Sequence, residues 1–397
     1  MIPMRKKSTP SSNKWLTLLF ACLLLSCTVC NAASTETLKP DTITLSLTEA
    51  GTLHERIGNN KKLKIECLRL KGMLNIDDIQ FIREMAGCYY DTKGHKYDGH
   101  LRYLDISGAT LTNTDNKEVS IYPRDPSEYE GTPWPSAEAY INDKGTPVAI
   151  FAYLYDMEEI VLPAKLKSIG DDAFIFCRSL KSINIPESVQ KIGLRAFFGC
   201  SSLKSMKLPI GITEIKSGLL SGCTNLTSID IPYTTEEIGH NAFSKCTSLK
   251  SIELPYSLNN MGISVFYGCT ALTSVTIPKN IRYISDYTFA NCNSLKSIYA
   301  LNPQGIGIKG KPFEEYTQSQ CTLYVPEGSM YNYQCWEEWY AFNHIVEFSP
   351  TGINGVHSAA ERREVERYDT SGRRLTSPTK GLNIVRFNDG TTRKVMK

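Results

Sequence analysis

A 23-residue repeat running from about Pro163 to Leu301 constrains this chain more than any other feature. Proline returns at Pro163, Pro186, Pro209, Pro232, Pro255 and Pro278, and cysteine at Cys177, Cys200, Cys223, Cys246, Cys269 and Cys292. Leucine keeps step at Leu180, Leu203, Leu226, Leu249, Leu272 and Leu295. A period in the twenties that holds residue by residue belongs to units that bury nothing alone and form a continuous core only when stacked. The pattern predicts a repeat solenoid of short parallel strands, with irregular or short-helical return segments and a cap at each end.

One turn, Leu180 to Gly199, shows how. In Leu180-x-x-Ile183-x-Ile185 the apolar side chains share one face of a short strand, leaving Ser182 and Asn184 on the other. Pro186 has no amide to donate and ends the strand. Val189 and Ile192 point back inside, Gly193 permits a tight bend, and Ala196-Phe197 leading to Cys200 fits a helical or irregular turn. Phe174, Phe197, Phe243, Phe266 and Phe289 form a column interrupted at Leu220, which predicts a stacked spine.

Units such as Leu226-Thr-Ser-Ile-Asp-Ile-Pro and Ile238-Gly-x-x-Ala242-Phe243-x-x-Cys246 resemble the leucine-rich repeats of BspA-like surface proteins, the treponemal type with a 23-residue unit. Leu323-Tyr-Val-Pro326, then Tyr333, Trp336, Trp339 and Phe342 before Ile345-Val-Glu-Phe348, is similar to the terminal cap of Bacteroides-type members. Lys71-Gly-x-Leu74-Asn75 and the segment from Asp78 to Gly87 resemble their N-terminal domain. The resemblance implies a secreted or surface-attached binding protein.

In chain order, residues 1–32 read as a signal peptide: Arg5, Lys6, Lys7 and Lys14 precede an apolar run from Trp15 to Leu25. Leu24-Leu25-Ser26-Cys27 resembles a lipoprotein box with Cys27 as the lipidated residue, whereas Cys30-Asn31-Ala32 suits ordinary cleavage. Residues 33–110 form an N-terminal cap, in which Ile65-x-x-Leu68-x-Leu70 and Leu101-x-x-Leu104-x-Ile106 repeat the strand spacing. Between these two stretches Asn75 caps a helix that stops at Gly87. Residues 111–146 read as a Pro- and Tyr-rich insertion loop, either a solvated excursion or a contact surface built on Tyr122, Tyr129 and Trp134. Residues 147–348 hold the solenoid and its C-terminal cap, and 349–397 a linker and tail. The tail, with short strands from Val365, resembles the sorting domain read by type IX secretion machinery.

Thirteen cysteines invite a disulfide or metal reading, but three lie in the leader and six in the periodic column, where thiols stacked in one direction suit packing better than bridging. Cys321 with Cys335 and Cys67 with Cys88 remain candidate local bridges. Gly305-Ile-Gly307-Ile-Lys-Gly310 spells a dinucleotide fingerprint, yet the span to the next strand is too short for a crossover helix. The six histidines share no ligand spacing, and no nucleophile, zinc or phosphate-loop motif occurs. No enzyme activity, cofactor or metal is expected. A net charge of +3 over 397 residues gives no footprint for nucleic acid.

What remains is surface. The outward strand column carries Asn184, Lys207, Asp230, Glu253, Thr276 and Tyr299 beside serines from Ser182 to Ser297. Ile210, Tyr233 and Tyr256 occupy equivalent slots after the strands, either as a binding strip or folded over the core edge. These features predict an exported, non-enzymatic cell-surface, outer-membrane or extracellular protein, a binding module or adhesin for a host protein or glycan. The alternative is a structural or assembly partner in the cell envelope. Membrane contact is expected only through a lipid anchor, and contact with secretion machinery only through the tail.

Overall fold

The computed structural model describes residues 41–87, 99–112 and 147–349, together with strands at 119–121, 137–141, 364–368, 374–375, 382–387 and 392–396. Its repeats stack as a solenoid. The strands of the repeat consensus, among them Ser182–Asn184, Ser205–Lys207, Ser228–Asp230, Ser274–Ile277 and Ser297–Ala300, lie parallel in one row. Their register is the sequence period itself, for Ser205 pairs with Ser228 and Ser274 with Ser297. A second row of two-residue strands follows each proline turn, as at Lys191–Ile192, Glu237–Ile238 and Tyr283–Ile284.

The return segments are neither helix nor irregular loop. Each passes amides to the next rung: Phe174 N–H donates to the Ala196 carbonyl at 2.8 Å, Phe243 to Val265 at 3.0 Å and Phe266 to Thr288 at 2.9 Å. To aim amides and carbonyls along the solenoid axis, the backbone flips into the left-handed region twice per rung. Ala149, Asp172, Arg195, Gly218, Asn241, Ser264, Tyr287 and Gly310 all have positive φ, and so do Tyr153, Phe176, Gly199, Gly222, Lys245, Gly268 and Asn291. For a side-chain-bearing residue this conformation costs roughly 1–2 kcal/mol, and the ladder bonds on either side hold it there.

Glycine does a different job from the one its place in the repeat suggests. Gly193 does not serve by adopting a left-handed bend; a Cβ there would sit 2.4 Å from Asp171 N, and at Gly239 and Gly262 2.6 Å from the amide nitrogens of Ser217 and His240. Glycine there lets successive rungs touch through backbone, although the slot is not glycine throughout, since Lys216 and Ser285 hold it on other rungs.

Inside, the phenylalanines stack as the spacing predicts. Ring centroids are 5.1 Å apart for Phe174 and Phe197, 5.6 Å for Phe243 and Phe266 and 5.5 Å for Phe266 and Phe289. The column also extends outward to Phe151 and Phe313. The cysteine column is buried beside it. Each thiol reaches a carbonyl of the preceding rung: Cys177 Sγ to Phe151 O at 3.0 Å, Cys200 to Phe174 O at 3.2 Å, Cys269 to Phe243 O at 3.1 Å. Burial pushes the Cys246 and Cys292 thiols up to about 12, which keeps them protonated donors.

The N-terminal cap adds parallel strands Ile43–Leu47, Cys67–Leu74 and Tyr103–Leu111 ahead of Glu159–Val161. Helix Ile76–Met85 starts at Asn75, whose side chain accepts from the Asp77 and Asp78 amides in a capping box. From this helix the buried Arg83 sends Nη1 to the carbonyls of Ile150 at 3.2 Å and Ala152 at 2.7 Å. One rung later the equivalent carbonyls, Ala173 and Ile175, accept from Phe151 and Tyr153 amides. Arg83 therefore stands in for the missing rung.

At the other end Phe313 meets Trp339 at 5.0 Å and Phe342 at 5.1 Å. Trp339 Nε1 donates to Ile306 O at 2.6 Å and the Tyr333 hydroxyl to Asn302 O at 2.7 Å. In the stretch read as an insertion loop, Val119–Ile121 and Ala137–Ile141 pair antiparallel, and the latter pairs with Pro147–Val148, so that part of it is sheet. The tail strands Glu364–Tyr368, Arg374–Leu375, Leu382–Phe387 and Thr392–Met396 form a four-stranded antiparallel sheet of their own.

Candidate binding surfaces of the solenoid

The outer face of the first strand row carries the serine column and the variable column beside it. Ser182, Ser205, Ser228 and Ser251 are exposed, as are Asn184, Lys207, Asp230 and Glu253. A shallow depression opens here, lined by Ser205, Lys207, Ser228, Asp230, Ile231 and Glu253. It lies where the sheet is interrupted: Ser205–Lys207 pairs with Ser228–Asp230, but the next hydrogen-bonded sheet begins at Ser251–Ile252. Ile229 and Ile231 are half-buried at the break rather than fully covered.

On these rungs Ile210, Tyr233 and Tyr256 hold matching turn slots. Ile210 is 45% exposed, whereas Tyr233 and Tyr256 are half-buried and the Tyr233 hydroxyl is out of solvent. The slots are rigid: Thr234 Oγ1 donates to Ile210 O at 2.6 Å, and Asn280 Nδ2 donates to Tyr256 O at 2.9 Å. Tyr299 lies apart from this strip, on the strand face near the C-terminal end. Its ring stacks on Tyr324 at 4.4 Å, and Phe348 packs edge-on at 5.9 Å. Burial, then the neighbouring Tyr324 phenol, pushes the Tyr299 hydroxyl up. The strip and the Tyr299 cluster are thus two surfaces. Tyr122, Tyr129, Trp134 and Cys27 lie outside the described residues.

The local bridge between Cys321 and Cys335 does not form. Cys321 is buried next to its strand and Cys335 is exposed, its thiol turned to Tyr331 O at 3.2 Å within its own helix. Cys88, the expected partner of Cys67, lies outside the described residues. The three glycines of the apparent dinucleotide fingerprint have structural roles. Gly310 continues the left-handed column at φ 78°, Gly305 has φ 82° and backs onto Asn332 O, and Gly307 backs onto the ring of Tyr283.

Tyr283, in the second strand row, is 48% exposed and is a surface aromatic that the repeat spacing does not single out. One signal was available: Lys191, Glu214, Glu237 and Asn260 precede it in that slot, all polar. Among the described residues no cluster of three or more histidine, cysteine or acidic side chains is arranged to hold a metal.

Residues 147–235 and 221–328 match the BspA type leucine rich repeat region, in six copies. The chain belongs to the BspA-type leucine-rich-repeat family. Among solved structures, a T. pallidum leucine rich repeat protein is 30% identical, with 40% of this chain and 76% of that chain covered and a TM-score of 0.37. A leucine-rich repeat protein from Bacteroides ovatus is 22% identical over 61% of this chain and 70% of its own, TM-score 0.33. A leucine rich cell surface protein from Faecalibacterium prausnitzii is 19% identical over 55% and 76%, TM-score 0.31. No curated protein sequence matches the chain.

Proposed function

We propose that this protein is an exported, non-catalytic binding protein of the bacterial cell surface, an adhesin that offers the side of its solenoid to a protein or glycan ligand. The observation that carries this reading is the row of Ile210, Tyr233 and Tyr256, in which the carbonyls of Ile210 and Tyr256 are each held by a side chain of the next rung, on the rungs whose strands line the depression. Aromatic and aliphatic groups on turns fixed by side-chain-to-carbonyl hydrogen bonds lose little backbone entropy when a partner covers them, and the hollow beside them supplies the hydroxyls of Ser205 and Ser228 to a polar rim. The fixed backbone makes the surface a platform rather than a closing cleft.

Export follows from the leader, with Cys27 as the lipid attachment point or ordinary cleavage near Ala33, and from the tail as a sorting signal. Mass determination of the mature N-terminus separates the two processing routes. Deleting the tail from Val365 should hold the protein in the periplasm of a cell that has the matching machinery, and normal surface display would refute the sorting role. For the binding surface, the full chain is screened against host matrix proteins and a glycan array, alongside a Tyr233→Ala, Tyr256→Ala double variant and a variant lacking residues 121–135. Loss of most binding in one variant locates the patch. Full binding by both moves the contact to the strand face or favours an envelope scaffold.

A further inference from the structure

A second surface, on the opposite strand row at the C-terminal end, has a different construction. Tyr283 and Gly307 are ladder partners on neighbouring rungs. A Cβ on Gly307 would lie 2.7 Å from Tyr283 Cδ1 and 3.2 Å from Trp336 Cζ2. Two aromatic rings therefore converge on one glycine, which admits them only because it has no side chain. Neither ring is hidden: Tyr283 is 48% and Trp336 38% exposed. The exposed Lys309 places its ammonium 4.3 Å from the Tyr283 ring centre.

The rings are held from below. Trp336 is the N-cap residue of the short helix Glu337–Tyr340, and that helix is anchored by Trp339, buried and bonded to the carbonyl of Ile306, the neighbour of Gly307. Tyr333 secures the preceding helix through Asn302. Gly307 itself is fixed by its amide to Arg282 O at 2.8 Å. The C-terminal cap uses Trp339, Tyr333 and Phe342 to close the core, and Trp336 from the same segment is left outside it. An exposed tryptophan on a rigid support is already organised for a flat ligand.

From this arrangement we infer that the Tyr283–Gly307–Trp336 platform is a saccharide-binding site that stacks a pyranose ring through its apolar C–H face. The site rests on the reading of the chain as a binding protein and names one class of ligand for it. Three features select a sugar. The exposed parts of the two rings offer a narrow apolar patch, far short of the roughly 800 Å² per side that a stable protein interface buries. In the slots one and two rungs before Tyr283 stand the exposed Asn260 and Glu237, which are hydrogen-bonding groups for hydroxyls rather than an apolar continuation. Rungs repeat at ~4.8 Å, close to the length of one sugar ring, so successive slots meet successive residues of an extended chain. Lys309, whose ammonium lies over one face of the Tyr283 ring, adds a donor beside the aromatic surface, and the exposed Arg282 adds another.

The test uses the full chain titrated with cellohexaose, the hexamer of N-acetylglucosamine and mannohexaose, followed by calorimetry and by tryptophan emission. At least one oligosaccharide should bind and shift the emission to the blue. Trp336→Ala should abolish the shift, Tyr283→Ala should weaken binding by about tenfold or more, and Gly307→Val should do the same by forcing the rings apart. A circular-dichroism melt unchanged in Tyr283→Ala excludes a folding defect. The Tyr233→Ala, Tyr256→Ala variant should bind the sugar normally. Failure of all three sugars to bind, or equal binding by Trp336→Ala, overturns the site. If host ligand capture persists in that case, the adhesin reading survives without it; if sugar binds at the platform but no macromolecule is captured, the reverse holds.

Discussion

The interior of the solenoid and its two closures solve the same problem by opposite means. In the interior alternate return amides find a carbonyl one rung on, the column thiols find one a rung back, and the phenylalanine rings lie on one another except where Leu220 interrupts them. At the ends the neighbour is missing, and single groups replace a whole rung. Arg83 supplies two donors at the N-terminal end, while Trp339, Tyr333 and Phe342 cover the last ring of the column at the C-terminal end. Each inner rung is held by two interfaces, whereas an end rung has one and its closure, so at the ends a single side chain carries what a whole rung supplies elsewhere.

Substitutions at the closures should therefore have the largest effects. Trp339→Ala should cost about 3–5 kcal/mol in chemical denaturation and deprive Ile306 O of its donor. Amide exchange should accelerate first around Phe289 and Phe313. Uniform acceleration along the array would erase the distinction between end and interior. Arg83→Met follows, at about 1–3 kcal/mol for each carbonyl left without its donor, with exchange rising first at the rungs near Phe151. A wild-type melting curve for this variant would mean that water or another group closes the ladder.

Interior changes should be milder. Phe243→Leu should cost less than about 1.5 kcal/mol, because Leu220 already fills that slot one rung away. Gly222→Ala places a side chain at φ 77° and should cost about 1 kcal/mol, whereas Lys245→Gly, in the same column at φ 58°, should be neutral or slightly stabilising. Thermal denaturation of the pair reads the strain held in the left-handed column, and a loss of stability in Lys245→Gly would contradict it.

The smallest effect at neutral pH comes from the thiols. The Cys246 thiol is raised by burial from 9.0 to about 12 in the folded chain, so its contribution is complete below pH 9. As pH rises the unfolded thiol ionises first, and stability falls by about 1.4 kcal/mol per pH unit per thiol until the folded value is reached. Cys246→Ala should flatten the fall over that window by this amount. In native alkylation at pH 8 the exposed Cys335 should react while the buried column does not. Labelling of Cys246 at the rate of Cys335 would show that the interior opens.

Much of this was legible in the residues because a solenoid converts burial into period: a side chain that must be inside on one rung must be inside on all. Phe174 to Phe289, the cysteine column and the prolines that end each strand are consequences of that rule, as are the cap strands around Leu68 and Leu104. The row of Ile210, Tyr233 and Tyr256 was half legible. Spacing placed Ile210, Tyr233 and Tyr256 in one slot, but how far each ring sinks depends on neighbouring rungs, and only Ile210 stands well out.

Sequence alone determined the repeat, its register and the identity of its core columns, since these depend only on which side chains avoid water. Tertiary structure decided the rest. Ala149, Arg195 and Tyr287 adopt left-handed backbone because the ladder bonds of adjacent rungs require it, a demand that their local propensity does not express. Arg83 meets carbonyls 67 and 69 residues away, and Gly307 matters because two rings, one from the preceding rung and one from a cap helix, close upon it. Such contacts occur once in the chain, so no period records them; they exist only when the last rungs and the cap are brought together in space.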